Sequence, residues 1–310
     1  MSLNRDRNGE LSIKLDGYTI RGKSIGGRET SFIIQELSVV FDMGYQPDKI
    51  ETIQNAFISH GHADHIGCLH FMYANKKLQH ITSPWQLIMP KSYIPSFIAM
   101  ASASSSCNRG GFPAGFTECY LTKAADPSIQ VLIPFKSLQV DKLIPAEECQ
   151  LIPLIDKNNF LVNSYKMVHK ICSYGYIINE QRKKLKEEYK GLSGFELKNL
   201  KAQNVIIQDD ISISLIAFTG DTTIDGLLLN PDFFQAKILI MECTHFDDSI
   251  EDAESHGHIH FQQIIDNIDK FLNKWIILSH FSQKYRSIKD VEPYLKHLPE
   301  HQRKRFIMWI

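Results

Sequence analysis

The chain has 310 residues, 43% of them hydrophobic, so it is long enough for one large domain or two small ones and too apolar for a disordered or fibrous protein. Its 34 Lys and Arg against 35 Asp and Glu leave a net charge of -1, which excludes nucleic-acid binding driven by overall charge and leaves only local patches to do it. No run approaches the roughly 18 apolar residues of a membrane-crossing helix.

Near the start, Arg5, Asp6 and Arg7 stand where a secretory signal would be apolar, so a soluble cytoplasmic protein is expected. Cys68, Cys107, Cys119, Cys149, Cys172 and Cys243 are scattered without C-x-x-C spacing and read as free buried thiols. Short strands follow one another: one at Ile20, then, after the Gly26-Gly27 turn, Ser31 to Ile34, Leu37 to Phe41 and Ala56 to Ser59. Further on, the apolar runs Val205 to Ile207, Ile213 to Phe218, Ala236 to Met241 and Trp275 to Leu278 read as buried strands, and Phe261 to Leu272 and Lys289 to Leu298 as helices. Together these predict an α/β protein in which two sheets lie between helices, with no internal repeat.

Two segments break the pattern. Ala101 to Gly115, with its Ser-rich run and Gly110-Gly111, reads as a surface loop. Gln181 to Asn204 carries Arg182, Lys183, Lys184, Lys186, Lys190, Lys198 and Lys201 against Glu187, Glu188 and Glu196, a local charge of about +4. Taken alone, such a run is best read as a solvated helix with i, i+4 pairs of Lys183 with Glu187 and Lys184 with Glu188.

The strongest chemical signal is Ser59-His60-Gly61-His62-Ala63-Asp64-His65-Ile66-Gly67, directly after the Ala56 to Ile58 strand. Three imidazoles and a carboxylate in six residues are costly to bury without partners, and a metal ion is a partner for all of them. The spacing lets His60 and His62 face one ion while Asp64 and His65, one turn on, face another. Three downstream residues follow apolar strands in the same way: His169 after Met167-Val168, Asp221 in Phe218-Thr219-Gly220-Asp221-Thr222, and His280 after Ile276 to Ser279.

With these residues in place the sequence resembles the metallo-β-lactamase superfamily, and within it the short form of tRNase Z. The narrower likeness is carried by Ser24-Ile-Gly-Gly-Arg-Glu-Thr30, Phe41-Asp-Met-Gly44, Phe218-Thr-Gly-Asp-Thr222, Met241-Glu-Cys-Thr244, Gly257-His-Ile-His260 and Leu278-Ser-His-Phe-Ser282, and extends from about Gly17 to the C-terminus. It implies one four-layer αβ/βα sandwich domain over 1–310 with a protruding arm at 181–204. It also implies that His60, His62 and His169 hold one zinc, that Asp64, His65 and His280 hold a second, and that Asp221 bridges them. Manganese and iron suit the same ligands. Asp42 reads either as a carboxylate orienting a ligand histidine or as a turn residue after a strand.

The chemistry implied is endonucleolytic removal of the 3′ trailer of precursor tRNA. A hydroxide activated by two metals attacks after the discriminator base, leaving a 3′-hydroxyl on the tRNA and a 5′-phosphate on the trailer. The resemblance implies that Asp64 both binds metal and accepts the water's proton, and that His258, oriented by Glu242, protonates the leaving 3′ oxygen. The family segment reads His-Ser-Thr or similar where this chain has His258-Ile259-His260, so His256 and His260 stand as alternatives to His258. In tRNase Z the arm is an exosite gripping the tRNA elbow, often across a homodimer, and its Lys and Arg side chains are the expected phosphate contacts. No DNA and no membrane partner is expected. The competing reading is a small-molecule hydrolase of the same superfamily acting on a lactone, a thioester or a small phosphodiester, for which a basic arm has no use.

Overall fold

The computed structural model describes residues 3–100, 142–147 and 151–310; the Ala101 to Gly115 loop and Cys107, Cys119 and Cys149 lie outside them. Among the described residues, β1 (Asn4–Arg5), β2 (Leu11–Leu15), β3 (Tyr18–Ile25), β4 (Glu29–Ile34), β5 (Val39–Phe41), β6 (Asn55–Phe57), β7 (Gln86–Pro90) and β8 (Lys142–Ala146) form one sheet in chain order. It is antiparallel through β5 and parallel from β5 to β8. The second sheet runs in the reverse order: β15 (Phe306–Met308), β14 (Trp275–Ser279), β13 (Ile238–Glu242), β12 (Gln208–Phe218), β11 (Ser173–Leu185), β10 (Lys157–Met167) and β9 (Leu151–Leu154). It is parallel from β15 to β12 and antiparallel beyond.

The sheets pack face to face through Phe32, Phe41, Phe57, Tyr176, Phe218 and Trp309, and Phe41 stacks on Phe218 with centroids 4.9 Å apart. Continuous apolar runs such as Ala56 to Ile58 and Ile238 to Met241 need cover on both faces. On the outer face of the first sheet Met43, Ile58 and Leu87 meet Leu69 and Met72 of α2 (Leu69–Leu78). On the outer face of the second, Leu239 and Leu278 meet Leu227 of α4 (Ile224–Leu229) and Phe261 and Ile264 of α6 (Phe261–Asp266). Helix, sheet, sheet and helix give the expected four layers.

Several elements differ from the sequence reading. Val205 to Ile207 is not a strand but the coil leading into β12, with Ile206 exposed. The helix from Phe261 ends at Asp266, where Asn267 leaves helical geometry and a separate turn, Ile268–Lys270, follows. Leu37 lies in a 3-10 turn, and Ser38, at φ 53°, resets the chain before β5. Arg182, Lys183 and Lys184 sit on β11 opposite Ile211, Asp210 and Asp209, so the helical pairs of Lys183 with Glu187 and Lys184 with Glu188 do not form. β10 pairs with β11 only as far as Glu180, and from Gln181 to Leu185 β11 pairs with β12 alone, as a two-stranded projection. Its tip holds a 3-10 turn (Glu187–Tyr189) and α3 (Gly194–Ala202).

Candidate metal centre

The site residues lie at the carboxyl ends of strands, where parallel strands of an α/β sheet present their loops. His60 and His62 leave β6, and α1 (Ala63–Ile66) carries Asp64 and His65. His169 follows β10, Asp221 follows β12, Glu242 ends β13 and His280 follows β14. The two sheets meet here, where Gly26 N–H donates to Phe281 O at 2.9 Å. Asp42 (φ 57°) and His280 (φ 60°) both occupy left-handed backbone. That costs about 1–2 kcal/mol for a residue with a Cβ, and it persists where surrounding contacts over-determine the geometry.

Donor atoms of His60, His62, His169 and Asp221 lie within 4.8 Å of one another, as do those of Asp64, His65 and His280, and Asp221 groups also with His258 and His280. His60 Nε2 is 3.0 Å from His62 Nδ1, which is 3.4 Å from His169 Nε2. His65 Nε2 is 3.1 Å from His280 Nε2, and Asp221 spans the groups, with Oδ1 3.3 Å from His65 Nε2 and Oδ2 3.6 Å from His60 Nε2.

The outer nitrogens explain why these atoms converge. His65 Nδ1 donates to Asp42 Oδ2 at 2.7 Å, and His60 Nδ1 meets Ser59 Oγ, which donates to the same Asp42 oxygen. His169 Nδ1 donates to the Gly257 carbonyl at 2.8 Å, and His280 Nδ1 meets Thr244 Oγ1 at 3.1 Å. Each of these four rings therefore turns a bare Nε2 inward, while His62 offers Nδ1. Lone pairs this close repel unless a cation sits between them, and separations of 3.0 to 3.6 Å are those of ligands around one ion at about 2.0–2.2 Å. Asp221 Oδ1 is buried with no hydrogen-bond partner. Burial, then the neighbouring His65, holds His60 well below the usual imidazole range, and burial and His169 lower His62; a neutral imidazole is the form that binds metal. The donor set fits two ions of the zinc type.

Asp42 is thus both a turn residue and the acceptor that orients His65, and its second oxygen takes Ser59 N–H at 2.7 Å. Asp64 Oδ2 accepts from Gly27 N–H at 2.8 Å and lies 3.3 Å from His280 Nε2.

Beside the second group, His258 Nδ1 donates to Glu242 Oε1 at 2.9 Å, and its ring centroid lies 5.4 Å from those of both His169 and His280. Burial alone would lower the His258 imidazole, yet Glu242 carries it up to about 9. Glu242 is nearly fully buried and accepts four bonds: Thr222 N–H (2.8 Å) and His258 on Oε1, Thr244 O–H (2.7 Å) and Ile259 N–H (3.2 Å) on Oε2. Of the alternatives, His256 is exposed at the end of α5 (Ile250–His256), its Nδ1 bonded to Asp252 O, and His260 caps α6 by accepting from Gln262 N–H. Neither ring is among the donor groups that lie within 4.8 Å of one another.

The basic residues of the arm are not brought to the centre. β11 begins at the site, where Tyr174 N–H donates to Ser59 O, and twelve residues further, at about 3.3 Å each, Leu185 stands about 40 Å away. Folding also adds Glu180, Asp209 and Asp210 to the hairpin, so its seven basic residues face six acidic ones. Arg182 pairs with Glu180 (2.7 Å), Lys183 with Asp210 (2.9 Å) and Lys190 with Glu187 (2.7 Å).

Sequence reasoning gave no role to Gly27, Ser59, Thr244 or Gly257, each of which holds a site residue through a bond visible only in three dimensions. Gly27, Thr244 and Gly257 do lie in segments that carry the family resemblance, which was the signal available for them.

No protein-family model matches the chain. It is 35% identical to tRNase Z TRZ1 of Arabidopsis thaliana over 292 residues, 93% of each chain. It is 33% identical to the chloroplastic tRNase Z TRZ2 of the same plant over 296 residues, covering 92% of this chain and 73% of that one. Among solved structures, the metallo-β-lactamase fold protein YhfI of Bacillus subtilis superposes with a TM-score of 0.51 at 14% identity, over 92% of this chain and 90% of that one, a likeness of fold.

Proposed function

Because the chain belongs to the tRNase Z family, a family of metal-dependent endoribonucleases, we propose that it cuts precursor tRNA after the discriminator base, with two zinc ions in the centre described above. The observation that carries this reading is the convergence of seven metal donors on two adjacent positions with the His258–Glu242 pair beside them. Two such ions, when bound, activate water and neutralise charge on the phosphate.

The remaining work falls to side chains. Asp64 Oδ2 is anchored by Gly27, and among the described residues no hydrogen bond reaches Oδ1, which is free to take the proton of the attacking water. His258 donates the proton that the 3′ oxygen needs on leaving; Glu242 fixes its Nδ1–H, so Nε2 faces the reacting bond. Thr244 ties this pair to the metal side, because its hydroxyl donates to Glu242 and receives His280 Nδ1–H.

The 181–204 hairpin is the exosite of this reading. Its root lies at the end of β11 and β12 away from the metal ligands, the geometry needed by an arm that serves the site of a second subunit, so a homodimer is part of the proposal. A cytoplasmic place of action is part of it too. Cys68, Cys172 and Cys243 are free thiols, as in a reducing compartment, and imaging of the tagged full-length protein tests the assignment.

The test replaces residues 186–207 with an Asn-Gly turn, which keeps the Leu185 and Gln208 pairing. The shortened protein is expected to lose cleavage of precursor tRNA and to keep hydrolysis of a small chromogenic phosphodiester. Equal loss of both, or of neither, contradicts an exosite.

A further inference from the structure

We propose that the arm holds folded RNA chiefly by stacking Phe195 on an unpaired or outermost base, with Lys198 and Lys201 against the adjoining phosphates, an inference that rests on the nuclease reading above. Phe195 is 73% exposed, Ile206 73% and Leu192 37%, all at the tip. Phenylalanine is among the side chains most often fully buried, and here it stands exposed at a tip that carries two other exposed apolar side chains. No residue of α3 is buried, and the helix is held by its own capping box, in which Ser193 Oγ accepts from Glu196 N–H and Glu196 accepts from Ser193 N–H. A side chain added at Gly191 or Gly194 would meet nothing within 4 Å. The tip therefore stands clear of the body.

On α3 the i, i+3 spacing sets Phe195, Lys198 and Lys201 along one side. On the stem Arg182 and Lys183 are paired with Glu180 and Asp210, and at the tip Lys190 is paired with Glu187, whereas Lys184 and Lys186 are in no ion pair among the described residues. Among the described residues, Lys198 and Lys201 make no ion pair. An aromatic face flanked by uncommitted ammonium groups matches a base with its phosphates, since every base has a face to stack and RNA loops turn bases outward. Charge complementarity favours this occupant over a second copy of the chain, whose net charge of -1 offers the lysines no comparable field.

The experiment measures binding of the metal-loaded full-length protein to fluorescein-labelled tRNA without a trailer, which cannot be cut, across a salt series. Phe195→Ala is expected to weaken Kd by about 5- to 100-fold at every salt concentration, leaving the slope of log Kd on log salt unchanged, and Phe195→Trp to restore binding. Lys198→Ala should reduce that slope by about 1. A wild-type Kd for Phe195→Ala, while the wild-type protein cuts precursor tRNA, overturns stacking and leaves the nuclease reading intact. If Phe195→Ala instead sediments as a smaller species than the wild type, the face belongs to a second copy and the proposal also fails. A wild-type protein that neither binds nor cuts tRNA refutes the nuclease reading itself.

Discussion

Removing the His258 imidazole is the perturbation whose outcome the geometry fixes most tightly. Its Nδ1–H is 2.9 Å from Glu242 Oε1, so the pair forms one unit with Nε2 as the working atom. Loss of a general acid costs about 10²- to 10⁴-fold in rate, and His258→Ala should lower kcat on precursor tRNA by that factor with KM little changed. Glu242→Gln keeps the volume and one acceptor but puts an amide where four donors converge, so a loss of similar kind is expected. Glu242→Ala is the poorer probe. It leaves the N–H groups of Thr222 and Ile259 unpaired in buried surroundings, at about 1–3 kcal/mol each, enough to confuse rate with folding. The decisive assay is the double variant His258→Ala with Glu242→Gln, its melting temperature checked against the single variants. Residues acting as one unit give a double variant no slower than His258→Ala alone. An aryl phosphodiester, whose leaving group departs without a proton, should be cut by His258→Ala with a much smaller deficit. Multiplying losses, or an equal deficit on the aryl substrate, would refute the acid assignment.

Gly257 sits at φ +80°, and a Cβ there would lie 2.7 Å from His169 Nδ1, so Gly257→Ala should displace the carbonyl that orients this ligand. The first ion's affinity is expected to fall by about 10- to 100-fold in chelator competition, and an unchanged affinity would contradict the reading. Asp64→Ala should abolish turnover on tRNA and aryl substrate alike; residual cleavage of either above about 1% of wild type argues against its double role. Chelating the metal should lower the melting temperature, and zinc should restore it, because converging lone pairs favour the loaded state, with about 4 kcal/mol at a free ion concentration a thousandfold above Kd. Lys284 bonds Asp247 and Asp248, and these bonds, with those of Tyr285 and His245, hold both carboxyls below their usual range. Their stabilisation is present above the unfolded carboxyl pKa of about 3.9 and is lost as pH falls through the lower folded values. Lys284→Met should therefore melt earlier than wild type at pH 7, with the gap closing below about pH 3; a gap constant with pH refutes the linkage.

The cluster of candidate metal donors stood out in the sequence for a local reason. His60, His62, Asp64 and His65 fall within six residues, and His169, Asp221 and His280 each follow an apolar strand that had to end at the sheet's carboxyl edge. The supporting bonds were not legible, since Thr244 meets His280 across 36 residues and Gly257 meets His169 across 88. The strand pairing and the charge balance of the arm's stem were not legible. A two-stranded projection with polar side chains on both faces has no apolar period of 2, so Arg182 to Leu185 resembled a charged helix. The carboxylates that neutralise its stem come from Glu180 before it and from Asp210 on the returning strand, outside any window drawn around the lysines. Val205 to Ile207 looked like a strand by composition, but Ile206 points to solvent and only Ile207 is buried.

The central claim is that two adjacent metal sites in this chain cut RNA at one bond. Its most direct test incubates metal-analysed protein with a 3′-extended precursor tRNA, counts bound ions and maps both new ends. Two ions per chain, with a single cut after the discriminator that leaves a 3′-hydroxyl on the tRNA and a 5′-phosphate on the trailer, is the predicted result. Intact precursor in the presence of protein carrying both ions would contradict it.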